Sequence, residues 1–322
     1  MAIKNYKILV LPSGAATGIV SSTILAQLER DTGIPIYQHF DEIWSSSIGS
    51  MIAALLTTPK KKSGGRSLLP MTATEVTEFL ESSFSSWSQA IRVRGKFKKQ
   101  LPALARMRDT FIPLRVLSAE VVGFSWIWPL KTRFRSFTSA KDGDLSLASV
   151  VASSCTVFPL HPFAEPVGDS EGQVIYCIDA GCEVCTESCM NPLLQHFPDL
   201  VKDIDPKVDS VDIYFISNGW VRLDSSWSPS KKGKILSAGG KSVILRLFNI
   251  DVNLSSTFQK WQKGRRVGGV FDKFKSEHIF YNLVGGGIIS SAPFKIEAAK
   301  ISENSESYKS MLESLRRKSE NE

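Results

Sequence analysis

The chain has 322 residues, 43% of them hydrophobic, and carries 39 Lys and Arg against 32 Asp and Glu for a formal net charge of +7. That length accommodates one large α/β domain or two modest ones, each with a sizeable core. No apolar run reaches the roughly 18 residues of a membrane span, and Met1–Lys7 leads into a short strand instead of a signal-peptide core, so the expectation is a cytoplasmic or peripheral-membrane protein without signal peptide or transmembrane segment.

Tyr6–Leu11 is a β-rich run, stopped by Pro12-Ser13-Gly14-Ala15-Ala16-Thr17-Gly18, a loop of turn-forming and tiny residues. A helix follows, with Val20, Ile24 and Leu28 on one face and Ser21, Ser22, Gln27 and Arg30 elsewhere. Backbone N–H groups at such a loop and helix start are suited to an anion or a developing oxyanion; a plain tight turn is the competing reading.

Phe40–Trp44 predicts a second strand and Ile48–Leu56 a second helix, joined by Ser45-Ser46-Ser47 with no loop between. A strand running through tiny residues straight into a helix is the pattern of a nucleophile elbow, G-x-S-x-G, in which the positions two before and two after the serine must be small. Ser47 has Ser45 before it and Gly49 after it, so the second glycine of the elbow is kept and the first is replaced. A serine cap on the helix is the structural alternative. Two successive strand–helix units imply an α/β fold with a central, mostly parallel sheet flanked by helices.

Beyond the Lys60-Lys61-Lys62 loop, Thr72-Ala73-Thr74-Glu75 reads as a capping box opening a helix with Val76, Phe79 and Leu80 as its apolar positions. Arg92–Arg108 is basic and interleaved with Phe97, Leu101, Leu104 and Met107, a segment that either covers a core or lies on a membrane surface. Its Arg92–Lys99 part, with Lys60–Lys62, Lys131–Arg135, Lys231-Lys232 with Lys234, and Arg265-Arg266, makes up the basic clusters through which a peripheral contact with anionic membrane is open. No recognised nucleic-acid motif accompanies that charge, so no nucleic-acid partner is expected.

Arg115–Val122 predicts a strand, Phe124–Leu130 an aromatic patch, and Ser146–Ser154 a small-residue helix. Val174–Ile178 is a strand ending at Asp179-Ala180-Gly181, where the carboxylate either serves a site at a strand's carboxyl end or shapes its own turn. Of the five cysteines, Cys177, Cys182, Cys185 and Cys189 give C-x4-C-x2-C-x3-C, which has metal-site character; the strand position of Cys177 favours free thiols, and neither metal nor cofactor is expected. The four histidines, His39, His161, His196 and His278, have no partnering acid pattern, so no Ser-His-Asp triad is assigned. Strands at Val211–Ser217, Val243–Ile250 and His278–Val284, a helix at Asn253–Lys263 and a charged helix at Ser307–Arg317 complete the reading.

Three pieces in this order, the small-residue loop Pro12–Gly18, the serine elbow Ser45–Ser50 and the late Asp179-Ala180-Gly181, resemble the patatin-like phospholipases. That family reads roughly D-G-G-G-x-R-G, G-x-S-x-G-G and D-G-G or D-G-A at these places. Val151–Pro159 is similar to its A-T-S-A-A-P-x-x-F-P segment; the similarity is good over 6–195 and loose beyond. The resemblance implies a single patatin-like domain over 1–322 with a peripheral C-terminal helix over 303–322, of the three-layer patatin-like fold. It also implies a lipid acyl hydrolase cleaving fatty-acyl esters of a lipid or phospholipid substrate. Ser47 would be the nucleophile, Asp179 its base in a dyad without histidine, and the amides of Gly14, Ala15 and Ala16 the oxyanion hole. The chain departs from the family at Ser45 and Ser50, where glycines are usual, and at Thr17, where an arginine or lysine is usual. These departures motivate the alternative of a catalytically weak or inactive patatin-fold protein that binds membranes or a partner.

Overall fold

The computed structural model describes residues 5–14, 18–62, 65–66, 69–84, 92–123, 131–156, 164–168, 172–180, 200, 203–204, 210–216, 234–238, 241–250, 298–299, 302–303 and 306–319. The aromatic patch 124–130, the helix expected over 253–263 and the strand expected over 278–284 lie outside them.

The first strand, β1 (Asn5–Leu11), is a central one. Ile8, Leu9, Val10 and Leu11 are all buried, as a strand covered on both faces requires. Complete burial of such side chains contributes roughly 1.5–3 kcal/mol each. Helix α1 (Gly18–Thr32) returns across the sheet, a short α2 (Ile36–His39) turns the chain, and β2 (Glu42–Ser46) pairs in parallel with β1. Helix α3 (Ile48–Thr57) is buried along its whole length. The first nine residues of α1 differ from the one-sided expectation: Ser21 and Ser22 are buried too, their hydroxyls donating to the carbonyls of Gly18 and Ile19. Thr77 then donates to the Ser22 hydroxyl at 3.0 Å. These hydroxyls are accommodated inside because each has a backbone acceptor one turn back.

After the Lys61–Lys62 (β3) and Gly65–Arg66 (β4) hairpin, α4 (Ala73–Ser83) starts on the predicted capping box. The Glu75 N–H donates to the Thr72 hydroxyl at 3.2 Å, and the Thr72 N–H donates to the Glu75 carboxylate at 2.9 Å. Thr72→Ala is expected to cost about 1 kcal/mol, read as a lowered midpoint in denaturant titration. The basic segment forms α5 (Val93–Gln100), whose Val93 and Phe97 are buried while Lys98 and Lys99 are exposed. It therefore covers core with one face. Leu104, in the loop that follows, is 88% exposed.

Strand β5 (Leu114–Gly123) continues the parallel run beside β2, and β6 (Lys131–Thr138) folds back on it. Helix α6 (Leu147–Ser154) is capped by the Ser146 hydroxyl. Strands β7 (Glu165–Gly168) and β8 (Val174–Asp179) follow, then β9 (Ser210–Ile216), β10 (Lys234–Ala238), β11 (Lys241–Ile250) and α7 (Glu306–Ser319). The sheet order is β10-β11-β9-β1-β2-β5-β8-β7, with β6 also on β5. The central neighbours β11, β9, β1, β2 and β5 run parallel, and the flanks are antiparallel. Fold class is thus α/β as expected, with antiparallel extensions at β6, β7 and β10 that the sequence reading did not contain.

Helix α7 docks through Tyr308, Met311 and Leu315, all buried. The Tyr308 hydroxyl donates to Asp31 on α1 at 2.7 Å, and the Lys7 ammonium donates to the Ser314 carbonyl at 3.3 Å. At the strands' amino ends, Arg115 is buried against Glu42 at 3.3 Å and Asp203 at 2.8 Å, with its guanidinium 5.3 Å from the Trp44 ring. Burial raises the Glu42 pKa even though Arg115 opposes it. This polar layer leaves the opposite, carboxyl end of the parallel strands for the site.

Candidate active site

Ser47 lies between β2 and α3 with φ 53° and ψ −127°, and among the described residues no other non-glycine has a positive φ. Such a conformation costs on the order of 1–3 kcal/mol and persists where the surroundings impose it. Three features do so. The hydroxyl of Ser45 donates to the Arg115 carbonyl at 3.0 Å, so the side chain that replaces the first elbow glycine is taken up by β5. The Ser46 hydroxyl meets the Ser13 hydroxyl at 2.8 Å, tying the elbow to the first loop. Gly49 carries the closest constraint: a Cβ built there would stand 2.1 Å from the Leu11 carbonyl oxygen and 2.9 Å from that of Pro12. Helix α3 therefore begins directly against the end of β1, where the loop of Gly14 leaves the sheet. Gly18, at the start of α1, is similarly crowded, its notional Cβ falling 2.7 Å from the Ile48 side chain.

Helix α6 closes the elbow from the other side. The Ser47 N–H donates to the Ser154 hydroxyl at 2.8 Å, and the Cys155 thiol donates to the Ser47 carbonyl at 3.0 Å. That carbonyl also accepts the Ser50 N–H at 2.8 Å. The Ser50 hydroxyl, which replaces another glycine of the elbow pattern, is 3.2 Å from the Ser154 hydroxyl. The added Cβ atoms at Ser45 and Ser50 thus sit within a buried hydroxyl network.

Asp179 ends β8 and pairs in register with Ser118 of β5, whose preceding residue Leu117 pairs with Ser46. Ser47 and Asp179 consequently lie at one level of the sheet with β5 between them, and each strand step is about 4.8 Å. Asp179 sits at the carboxyl end of its strand as expected, and that strand, β8, runs antiparallel to β5. It reaches elbow level because β5 extends past the elbow and β8 descends along that extension. The Asp179 N–H donates to the Thr156 carbonyl at 2.9 Å. Ser47 is 7% and Asp179 4% exposed. A serine on a strained turn, level with a buried carboxylate across β5, is an arrangement compatible with nucleophilic chemistry.

Burial, reinforced by the neighbouring Asp179 carboxylate, pushes the Cys155 thiol well up. Cys177 is pushed up to about 12 by burial and by Glu120. Neither thiol is a nucleophile at neutral pH. Cys182, Cys185, Cys189, Ala15, Ala16, Thr17 and Gly181 lie outside the described residues; Gly14 is half-buried at the edge of its loop. Among the described residues no group of three or more His, Cys, Asp or Glu is placed to hold a metal ion. His39 meets Thr32 at 2.9 Å, away from the elbow; His161, His196 and His278 fall outside the described residues.

Two residues of the site carried no distinguishing signal in the sequence. One is Ser154, an ordinary serine of a small-residue helix. The other is Arg94 of α5, whose guanidinium donates to the Thr156 hydroxyl at 2.6 Å and lies 3.4 Å from Glu165.

No family model matches the chain. A cUMP-AMP-activated phospholipase of Escherichia coli is 25% identical over 224 residues, covering 66% of this chain and 64% of that relative. A cGAMP-activated phospholipase of Pseudomonas aeruginosa (strain BWHPSA011 / Pa011) is 43% identical over 51 residues, 16% of this chain and 15% of the relative. The chain thus spans less than two thirds of the length of either. The crystal structure of VipD from Legionella pneumophila overlaps with a TM-score of 0.36 at 12% identity, over 66% of this chain and 50% of VipD, too partial to bear on the assignment. With loop, strained serine elbow and late Asp-x-Gly in that order, and with these two relatives in sequence, the chain is similar to the patatin-like phospholipases.

Proposed function

We propose that this protein is a lipid acyl hydrolase working through Ser47 and Asp179. The Ser47 hydroxyl attacks the acyl carbon of a fatty ester, and its proton passes to the Asp179 carboxylate. The amides of Gly14, Ala15 and Ala16 take the oxyanion. Collapse of the tetrahedral intermediate releases the alcohol, which leaves with the proton from Asp179. Water then attacks the acyl-serine, giving its proton to Asp179, and the fatty acid departs as Asp179 returns that proton to the Ser47 oxygen. The observation that carries this reading is the strained backbone of Ser47 at the level of a buried carboxylate. The names of both curated relatives support a phospholipid as substrate and a cyclic dinucleotide of the cUMP-AMP or cGAMP kind as activator. Exposed Lys99 and Leu104 are the groups proposed to meet an anionic membrane.

A fluorophosphonate probe, applied with and without cUMP-AMP or cGAMP, is expected to label the wild-type chain and to leave Ser47→Ala unlabelled. Equal labelling of both would remove Ser47 from the role. No labelling of either under any of these conditions would return the protein to the binding reading, in which the fold holds a membrane or a partner without turnover.

A further inference from the structure

We propose that Ser154, Cys155 and Thr156 form one positioning element that aligns both halves of the Ser47–Asp179 pair, with the Ser154 hydroxyl as the group that holds the nucleophile. The inference rests on the reading of Ser47 as nucleophile.

The Ser154 hydroxyl is fully committed. It donates its one proton to the Leu117 carbonyl at 2.6 Å and accepts the Ser47 N–H at 2.8 Å. With that proton used, the Ser50 hydroxyl must be the donor in the 3.2 Å contact between them. One donated and two accepted bonds are the whole capacity of a serine hydroxyl. Ser154 itself has no solvent exposure. Its acceptor Leu117 precedes Ser118, the residue in register with Asp179. Ser154 therefore bolts the amide of Ser47 to the strand that separates the elbow from the acid.

The next two residues complete the element. The Cys155 thiol donates to the other side of Ser47, its carbonyl, at 3.0 Å. The Thr156 carbonyl accepts the Asp179 N–H at 2.9 Å. The segment is anchored from behind: the Thr156 hydroxyl donates to the Ala152 carbonyl at 2.7 Å and accepts from Arg94 at 2.6 Å. Nucleophile and acid thus take their places from three consecutive residues, and an error in one is not corrected by the other. Displacement of a reacting group by about 1 Å costs about 10²-fold in rate.

The test uses the full chain with Ser154→Ala, Ser154→Thr and Ser50→Ala. Ser154→Ala is expected to slow fluorophosphonate labelling of Ser47 about 10²-fold. It should lower kcat for a short-chain ester by a similar factor at unchanged KM, and raise amide hydrogen exchange across 45–50. Ser154→Thr keeps the hydroxyl and restores most of the rate. Ser50→Ala removes the other hydroxyl bonded to Ser154 without touching the Ser47 amide, and labelling should stay within about two-fold of wild type. Should Ser154→Ala fail to accumulate folded, Ser154→Cys, whose thiol is a poor acceptor, carries the same expectation. Folded Ser154→Ala with wild-type labelling and exchange overturns the proposal, as does an equal loss in Ser50→Ala. A wild-type chain that resists labelling, while Ser154→Ala still raises exchange at 45–50, counts against Ser47 as nucleophile and for the clamp.

Discussion

Asp179→Asn is expected to lower ester turnover by about 10²–10⁴-fold, the range supplied by a positioned general base, with kcat falling and KM unchanged. Asparagine matches the carboxylate in shape, and the backbone bond from Asp179 to the Thr156 carbonyl is independent of the side chain. The thermal midpoint should therefore stay within about 3 °C of wild type, a shift that corresponds to roughly 1 kcal/mol in a domain of this size. Steady-state kinetics on a fluorescent ester, run beside a melting curve, separates the two effects. Near-wild-type turnover would place the base elsewhere, and a collapsed melting curve would make Asp179 a folding residue first. On the proposed mechanism the amide cannot take the proton that Ser47 gives up, so the deficit should hold through neutral pH, where hydroxide is too dilute to serve as the base.

Gly49→Ala is expected to cost about 4 kcal/mol or more, above the usual overpacking range. The new Cβ would fall 2.1 Å from the Leu11 carbonyl oxygen and 2.6 Å from its carbon, atoms of a central strand that cannot step aside. Relief requires α3 to lift from β1. That would loosen the elbow and widen the distance to the loop at Gly14. The expected outcome is loss of soluble folded protein, or a thermal midpoint lower by about 8 °C or more, with fluorophosphonate labelling lost in parallel. A wild-type melting curve would contradict the close approach itself. Ser45 and Ser50 predict differently. Their side chains have partners at the Arg115 carbonyl and the Ser154 hydroxyl, so reversion of either to the family's glycine has no steric gain to deliver.

Local patterns were readable where local physics sets the outcome. The apolar run Ile8–Leu11 can only be a buried strand, the Thr72–Glu75 box can only open a helix, and the tiny residues around Ser47 leave room for a sharp turn. Strand β6 was not readable. Its charged and polar residues Lys131, Thr132, Arg133 and Arg135 read as a basic surface cluster. What makes it a strand is its partner: β5 supplies the hydrogen-bonding edge, and Glu120 on β5 receives Arg133 at 2.7 Å.

Ser154 shows the same limit inside the site. A serine at a helix end says nothing of its acceptor, because its partners Ser47 and Leu117 are 107 and 37 positions away. Ser47 was therefore marked by its own neighbours: a turn with positive φ needs small residues beside it, and that requirement is written within five positions. Its alignment with Asp179 has no such local trace. That alignment comes from the antiparallel register of β8 on β5 and from the Ser154–Thr156 segment, pairings formed across the sheet by hydrogen bonds whose two ends are remote in the chain.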